Sequence, residues 1–325
     1  MEANFTEEVN PLEALNQKVQ EIRDEIGTVI IGQEEVVELL IIGLLCDGHI
    51  LLEGVPGVAK TLAAKLLARI LDVNFSRLQF TPDLMPGDVI GTSVFNPREG
   101  NFYFKAGPIF SNIVLIDEIN RSPAKTQAAL FEVMEERQVT VDGQTHIMQY
   151  PFLVLATQNP IEQEGTYRLP EAQLDRFLFK IEIGYPTLEQ EIMILTLQQG
   201  KTQNELLQPV RKLLSAEQIA KFRNTVTQVT VEPKIIAFIA AIVNETRSSA
   251  ALYLGASTRA SLALLKSSKA AAATRGRNFV IPEDVIDMAP HVLRHRIMLT
   301  PEKEMEGLTP DVHISNILKG VDVPR

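Results

Sequence analysis

The sequence LLEGVPGVAKTLAAKLLARIL, from Leu51 to Leu71, decides the fold. It continues a short apolar run that is typical of a buried strand, and glycine and proline residues then mark a turn. From Thr61 onward, apolar residues recur at helical spacing, which predicts a helix with one wide apolar face. Strand, glycine-rich turn and helix are the parts of a phosphate-binding loop, in which backbone N–H groups and the helix N-terminus surround the phosphates.

The loop departs from the strict phosphate-loop pattern because Ala59 stands where glycine is usual. Glycine is needed where φ is positive or where the backbone touches the ligand, and residue 59 should lie at the start of the helix with a negative φ. The alanine is therefore compatible with phosphate binding, although an ordinary strand–turn–helix corner with a surface lysine is the alternative. In a phosphate-binding loop, Lys60 would contact the phosphates and the Thr61 hydroxyl would bind Mg²⁺. The expected nucleotide-binding residues of this loop are Gly54, Val55, Pro56, Gly57, Val58, Ala59, Lys60 and Thr61.

A second segment, SNIVLIDEINRSP, supplies two carboxylates. Residues 113–116 form the continuous apolar run of a buried parallel strand, and Asp117 and Glu118 follow at the end where ligands bind in open α/β sheets. Asp117 could hold Mg²⁺, directly or through water, and Glu118 could orient or deprotonate the attacking water. An acidic helix cap is the alternative, but we expect Ser122 and Pro123 to start the next helix instead. The two motifs together predict a nucleotide hydrolase.

Composition limits the class of protein. The chain has 325 residues, 45% of them hydrophobic, and carries a formal net charge of −10. It is long enough for two domains, and with Cys46 as the single cysteine no internal disulfide can form. The polar start MEANFTEEVN and the short apolar runs predict a soluble, cytoplasmic protein without membrane insertion. The acidic charge argues against a general nucleic-acid binder, although a local basic patch stays open.

In its motifs the chain resembles the MoxR family of AAA+ ATPases over nearly its whole length. The resemblance is carried by IIGQEE (residues 30–35), GVPGVAKT (54–61), QFTPDLMPGDVIG (79–91), LIDEINR (115–121), ATQNPIEQEGTYRLPEAQLDRF (156–177) and GASTRA (255–260). It implies an ATP hydrolase that uses ATP and Mg²⁺ and works as a homo-oligomeric ring, most often a hexamer. It also implies chaperone-like maturation or assembly of partner proteins, often proteins with a von Willebrand factor A domain.

The resemblance assigns roles to polar residues outside the two motifs. Ile31 and Gly32 would line the adenine site. Asn159, which follows an apolar strand, would be sensor 1 and polarise the attacking water, although Asn-Pro also commonly starts a turn. Arg259 would be sensor 2 on the nucleotide phosphates, because a cation in the first turn of a helix otherwise opposes the helix dipole; a solvated surface arginine is the alternative. Arg176 would be the arginine finger for the γ-phosphate of the next subunit, whereas an ion pair with the preceding aspartate is the alternative.

The predicted fold class is α/β, with an AAA+ phosphate-loop core that has a parallel five-stranded sheet and helices on both faces, followed by a small all-α lid. We expect a helical arm over residues 1–27, the nucleotide-binding core over residues 28–186 and the lid over residues 187–325. Two hairpins interrupt the core, one after residue 90 and one around Asp142 and Gly143. The resemblance identifies them as the helix-2 insert and the hairpin before sensor 1, which face the pore in related motors; plain structural hairpins are the alternative.

Other functions stay open at this point. A DNA-associated AAA+ motor would carry the same two hairpins, but the segment from Val139 to Met148 contains no lysine or arginine. An inactive nucleotide-binding scaffold would not need every expected catalytic position to be filled, and a subunit of a metal-chelatase-like complex is a third alternative. Arg121 also matches the family motif, and we assign it no role. The expected catalytic residues are Lys60, Asp117, Glu118, Asn159, Arg176 and Arg259, with Thr61 and Asp117 as the metal ligands.

Overall fold

The structure is a computed structural model that describes residues 10–55, 57–58, 60–160, 166–200, 205 and 210–324. Its helices are α1 (Pro11–Gly27), α2 (Glu34–Leu45), α3 (Lys60–Ile70), α4 (Pro86–Ile90), α5 (Ala124–Glu136), α6 (Glu171–Leu174), α7 (Leu188–Gln198), α8 (Ala216–Thr227), α9 (Pro233–Ser248), α10 (Thr258–Thr274), α11 (Pro282–Leu293), α12 (Pro301–Met305) and α13 (Pro310–Gly320). Its strands are β1 (Ile50–Gly54), β2 (Phe75–Gln79), β3 (Gly91–Asn96), β4 (Asn101–Ala106), β5 (Ile113–Asp117), β6 (Gln138–Val141), β7 (Gln144–Ile147), β8 (Leu153–Gln158), β9 (Phe179–Ile183), β10 (Leu252–Leu254) and β11 (Met298–Leu299).

Five parallel strands form the central sheet in the order β2-β5-β8-β1-β9, which confirms the predicted α/β class. The inner strand β5 is buried at every position, and β8 is buried at all but its last. Such strands read as continuous apolar runs because both faces of a parallel sheet are covered. The edge strand β2 buries Leu78 and leaves its neighbours Arg77 and Gln79 exposed. Because β1 lies next to β8 and one strand from β5, the ends of these three strands meet at one edge of the sheet.

Both predicted hairpins are present as separate two-stranded sheets. In the first, β3 pairs with β4, and Val94 lies opposite Tyr103. In the second, β6 pairs with β7 around Asp142 and Gly143, whose φ values are 50° and 76°. Positive φ at both central residues is the geometry that Asp-Gly supplies in a tight hairpin turn.

The second half of the chain is helical, as predicted. The capping boxes at Thr187 with Gln190 and at Ser215 with Gln218 start α7 and α8. Gly276, with a φ of 76°, follows the end of α10, where a left-handed residue terminates a helix without a Cβ clash. A short antiparallel ribbon of β10 and β11 adds one piece of β structure to this helical region.

Helix α1 packs against α2 of the core and against α8 and α10 of the helical half. Its Leu15 and Ile22 are buried, and Glu25 accepts hydrogen bonds from the Arg211 guanidinium at 2.7 and 2.9 Å. The N-terminal helix therefore joins the two parts of the molecule. In the described ranges, no helix has both the length and the apolar character that crossing a membrane requires.

Candidate active site

The phosphate-binding loop leaves the carboxyl end of β1 and leads into α3. Gly54 has no space for a side chain, because a Cβ atom there would lie 2.6 Å from the carbonyl oxygen of Ile183. Gly57 has a φ of 91°, which favours glycine. Pro56 and Ala59 fall outside the described residues, so the expected negative φ at residue 59 stays a prediction. The local chain path is that of strand, turn and helix, with the first turn of α3 beside the ends of β5 and β8.

Lys60 is held between the ends of two strands. Its Nζ donates to the carbonyl oxygens of Gly54 and Gln158, the latter at 3.2 Å. Burial lowers the pKa of the Lys60 ammonium below its ordinary value, and the charges of Asp117 and Glu118 oppose that shift. A half-buried ammonium that donates to carbonyl oxygens is well placed to donate to phosphate oxygens instead, because charged acceptors form the stronger hydrogen bonds.

Asp117 and Thr61 come together at the same edge of the sheet. The Thr61 hydroxyl donates to Asp117 Oδ1 at 3.4 Å, and the Thr157 hydroxyl donates to the same oxygen at 3.2 Å. One carboxylate and one hydroxyl are hard oxygen donors, and the described residues hold no group of three or more acidic, histidine or cysteine side chains that could bind a metal. This donor set fits Mg²⁺, which binds through one or two carboxylates, substrate phosphates and water instead of an all-protein cage.

Glu118 has a left-handed backbone conformation with a φ of 58°. Its backbone N–H donates to the Thr157 hydroxyl at 3.0 Å, so Thr157 connects the two neighbouring acidic residues. Its Oε2 accepts from Gln79 Nε2 at 2.8 Å and lies 3.0 Å from Arg121 Nε. A non-glycine residue in this conformation costs about 1–3 kcal/mol, and such strain clusters at functional sites. The contact also places Arg121, to which we had assigned no role, on the expected catalytic carboxylate.

The predicted helix cap at Ser122 is wrong. Helix α5 begins one residue later than expected, at Ala124, and Pro123 takes the cap position with an extended ψ of 151°. Within the described chain, the buried Ser122 hydroxyl has no hydrogen-bond partner. Asp117 and Glu118 are available for chemistry because contacts with Thr157, Gln79 and Arg121 hold their side chains at the ends of the strands. Their availability does not depend on a serine cap for α5.

Sequence reasoning missed two residues of the edge strand β2. Arg77 Nε lies 2.6 Å from Asp117 Oδ2, and Gln79 binds Glu118. Residues 77 and 79 lie on one face of the strand because successive side chains alternate. The signal in the sequence is this pair of polar residues two positions apart, in the strand that the structure pairs with the strand of the acidic motif.

The predicted adenine segment lies beside the loop. Gly32 has a φ of 75° and contacts the Gln190 side chain at the start of α7. Gln33 Nε2 donates to the carbonyl oxygen of Val58 at 2.9 Å and so ties the segment to the loop. Among the described residues, the buried Gln33 Oε1 has no partner. A buried free acceptor next to Ile31 and Gly32 suits the amino group of an adenine ring.

Asn159 directly follows β8 and therefore lies at the same edge of the sheet as the loop. The structure thus brings Lys60, Thr61, Asp117, Glu118 and Asn159 to one edge, as the strand-end argument predicted.

Arg176 and Arg259 lie at the opposite edge of the sheet. Arg259 Nη2 donates to Glu135 Oε1 at 2.6 Å, and Arg176 Nε lies 3.9 Å from Glu135 Oε2. Glu135 is at the end of α5. Arg137, two residues later, donates to the carbonyl oxygen of Asp47 before β1 at 2.9 Å and to that of Phe152 before β8 at 3.2 Å. Since β1 has five residues, this edge is about 16 Å from the loop of the same subunit.

Arg259 follows the N-cap Ser257, as predicted, and its counter-charge in this structure is Glu135. Its expected contact with nucleotide phosphates stays a prediction. The placement of Arg259 follows from the tertiary structure, because the helical half attaches to the core at the edge of the sheet where the parallel strands begin. Buried Arg296 makes that attachment, with its Nε 2.8 Å from Asp175 Oδ1 and its Nη1 donating to the carbonyl oxygen of Leu178 at 3.1 Å.

Comparison with known proteins agrees with this architecture. Residues 49–179 match the family model of ATPases associated with various cellular activities (AAA), and residues 244–317 match the AAA lid domain. The chaperone MoxR1 of Mycobacterium tuberculosis is 44% identical over 93% of this chain and 81% of its own length. The chain belongs to the MoxR family of AAA+ ATPases.

Two further chains match over nearly their whole length. The Bacillus subtilis protein YeaC, which is uncharacterized, is 44% identical over 98% of this chain and 97% of its own. A crystal structure from Cytophaga hutchinsonii, which carries a provisional ATPase assignment, superposes with a TM-score of 0.89 at 43% identity and covers 97% of both chains. Both matches therefore span the core and the lid together.

Proposed function

We propose that this MoxR-family chain is a Mg²⁺-dependent ATP hydrolase that acts as a homo-oligomeric ring, a hexamer, and matures or assembles partner proteins with a von Willebrand factor A domain. The observation that carries the proposal is the division of the expected catalytic residues between two edges of the sheet. Lys60, Thr61, Asp117 and Glu118 lie at one edge, and the arginine pair lies at the other.

ATP binding would use the first edge. Backbone N–H groups of the loop and the N-terminus of α3 would surround the phosphates, and Lys60 would exchange its carbonyl partners for phosphate oxygens. The adenine ring would lie on Ile31 and Gly32. In this proposal, residues 28–186 are the nucleotide-binding core, residues 187–325 the lid and residues 1–27 the N-terminal arm.

Hydrolysis needs a positioned water and stabilisation of the phosphoryl charge. Glu118 would orient the water and accept its proton, and Asn159 would hold the water against the γ-phosphate. Thr61 and Asp117 would hold Mg²⁺, which when bound supplies positive charge to the phosphate oxygens. Gln79 and Arg121 would keep the Glu118 carboxylate in place until ATP arrives, because both already bind its Oε2.

Arg176 and Arg259 lie one strand length from the phosphate-binding loop of their own subunit, so they cannot reach the phosphates bound there. A ring supplies the missing partner, because head-to-tail packing sets one edge of each subunit against the other edge of its neighbour. Arg176 would then act as the arginine finger in the next subunit's site, which is worth about 10³–10⁵ in rate in comparable enzymes. Arg259 lies on the same glutamate, so we propose that it acts on the same neighbouring site.

The partner can be tested with variants that arrest the cycle at different points. Glu118→Gln should bind ATP and retain it, so the ATP-bound conformation and any partner that prefers it should persist. Lys60→Ala should bind ATP poorly. We expect affinity capture from the source cells to recover more of a von Willebrand factor A domain protein with Glu118→Gln than with Lys60→Ala. Equal recovery with both variants, or recovery of replication factors on DNA, would contradict the proposed chaperone role.

A further inference from the structure

The side chain of Arg77 lies on the carboxylate that is expected to serve the metal. Its Nε is 2.6 Å from Asp117 Oδ2. In the sheet register Asp117 is opposite Gln79, and Arg77 is two positions earlier on the same face of β2. Diagonal neighbours of this kind are within reach of a long side chain. The pair is therefore a direct consequence of the pairing of β2 with β5.

The two partners differ in exposure. The Asp117 side chain is 7% exposed and the Arg77 side chain is 49% exposed. A buried carboxylate needs a compensating cation, because an unpaired buried charge is costly. Arg77 can leave at low cost, since a half-exposed guanidinium regains water on its way out.

Three of the roughly four acceptor positions of the Asp117 carboxylate are already in use. Its Oδ1 accepts from the hydroxyls of Thr61 and Thr157, and its Oδ2 accepts from Arg77. Thr61 is itself an expected metal ligand. A metal ion bound to Asp117 would therefore share this carboxylate with a second cation, the Arg77 guanidinium. Like charges at such distances repel strongly in a partly buried site.

We propose that Arg77 is the counter-ion of Asp117 in the metal-free protein and that it must leave Oδ2 when Mg²⁺ binds. The inference rests on the proposed function, since it assumes that Asp117 serves a Mg²⁺–nucleotide complex. Arg77 is a positioning residue in this scheme. It keeps the buried carboxylate paired and oriented between cycles, and it lowers the affinity of the empty site for the metal.

The opposite sign is the main alternative. If Arg77 stays on Asp117 and only orients it for the metal, its removal would weaken metal binding, as the loss of supporting residues usually does. The direction of the change in metal affinity therefore separates the two roles.

The test uses the full chain with ADP, which is not consumed. Binding of Mn²⁺ as the metal probe is followed by electron paramagnetic resonance in the presence of stoichiometric ADP. We expect Arg77→Gln to bind Mn²⁺ about three- to ten-fold more tightly than the unaltered protein, the scale of an ion pair with one buried partner. Arg77→Lys, which keeps the charge, should stay close to the unaltered protein. Arg98→Gln removes the same charge from the exposed turn between β3 and β4 and should change nothing.

Thermal unfolding provides a second readout. In EDTA, Arg77→Gln should melt at a lower temperature than Arg98→Gln, because Asp117 then loses the cation that is hydrogen-bonded to it, and Mg²⁺ with ADP should remove that difference. Unchanged or weaker Mn²⁺ binding by Arg77→Gln would overturn the inference while leaving the proposed function standing. Failure of the unaltered protein to bind ADP with or without metal would overturn the proposed function, and this inference with it.

Discussion

At the scale of single residues, Gly54 shows how closely the phosphate loop is built against the sheet. A Cβ atom at this position would lie 2.6 Å from the Ile183 carbonyl oxygen and 3.1 Å from Val58 Cγ2. The first neighbour is backbone of a paired strand, so it cannot move aside without disturbing β9. The second belongs to the loop itself.

We expect Gly54→Ala to lower the free energy of unfolding by about 1–3 kcal/mol, the usual cost of inserting a methyl group into a packed site. It should also abolish tight ATP binding, because the loop must shift. Urea unfolding and the fluorescence of an ATP analogue measure the two effects. Gly27→Ala at the end of α1, where a Cβ has open space, is the matched control and should be neutral. Wild-type behaviour of both variants would mean that the loop is not held against β9.

Residue positions were predictable from the sequence where a motif fell at the end of a strand. Thr61 and Asp117 could be placed together because parallel strands end at one edge. Arg77 and Gln79 were missed because polar residues on an edge strand look like a solvated face. The surroundings of Arg259 could not be predicted, since local sequence says nothing about which edge of the core the lid attaches to.

At the scale of elements, a buried arginine makes one of the joins between lid and core. Arg296 follows α11, and its side chain is 3% exposed. It binds Asp175 and the carbonyl oxygen of Leu178, which flank Arg176, the proposed arginine finger. Ser257 at the start of α10 donates to the same aspartate at 3.0 Å. We therefore expect any movement of the lid to act on the segment that carries Arg176.

We expect Arg296→Ala to destabilise the protein by about 3–5 kcal/mol, because it leaves the carboxylate of a buried pair without its partner. The matched control is Arg168→Ala, which breaks an ion pair whose arginine is 80% exposed and should cost about 0–1 kcal/mol. Guanidinium unfolding of both variants gives the comparison. Similar losses for the two variants would show that the join depends on other contacts.

The element pattern itself was largely predictable. Buried parallel strands gave continuous apolar runs, and Asp142-Gly143 marked a hairpin through its turn chemistry. Helix α5 begins one residue later than predicted, and this shift moves Ser122 out of the cap position. The error arose because Pro123 fits both the cap and the first helical position. The ribbon of β10 and β11 has too few residues to give a periodic signal.

At the scale of the whole molecule, stability should depend on pH through buried histidines, and three of them carry the largest pKa shifts. Burial lowers the pKa of His49 to about 3 and of His291 to about 4, and it lowers the pKa of His295 well below its ordinary value. His49 joins parts of the core, since its Nδ1 accepts a hydrogen bond from the Val154 backbone N–H at 3.0 Å and its Nε2 lies 3.1 Å from the Met134 carbonyl oxygen. Because Nδ1 is an acceptor, this contact requires a neutral His49 ring.

The sign of the effect follows from the lowered folded-state pKa values. Below the unfolded-state pKa of about 6.5 the unfolded chain takes up protons that the folded protein excludes, so stability falls as pH drops from there toward 4. We expect each of the three histidines to cost about 1.4 kcal/mol at one pH unit below 6.5. Urea unfolding at pH 7.5 and pH 5.5 measures the loss, and His49→Gln should show a smaller loss. Equal stability at both pH values would contradict neutral, buried rings.

The central claim for the whole molecule is that each active site is built by two subunits. Glu118→Gln and Arg176→Ala should each abolish hydrolysis while retaining ATP binding. When the two inactive variants are mixed and subunit exchange is verified by energy transfer between labelled chains, about a quarter of the sites should combine an intact Glu118 with a neighbour's intact Arg176 if pairing is random. The control mixes Glu118→Gln with Lys60→Ala, whose defects lie at the same edge, and should stay inactive. Phosphate release that returns only in the first mixture is the result we predict, and no recovery in either mixture would contradict a shared site.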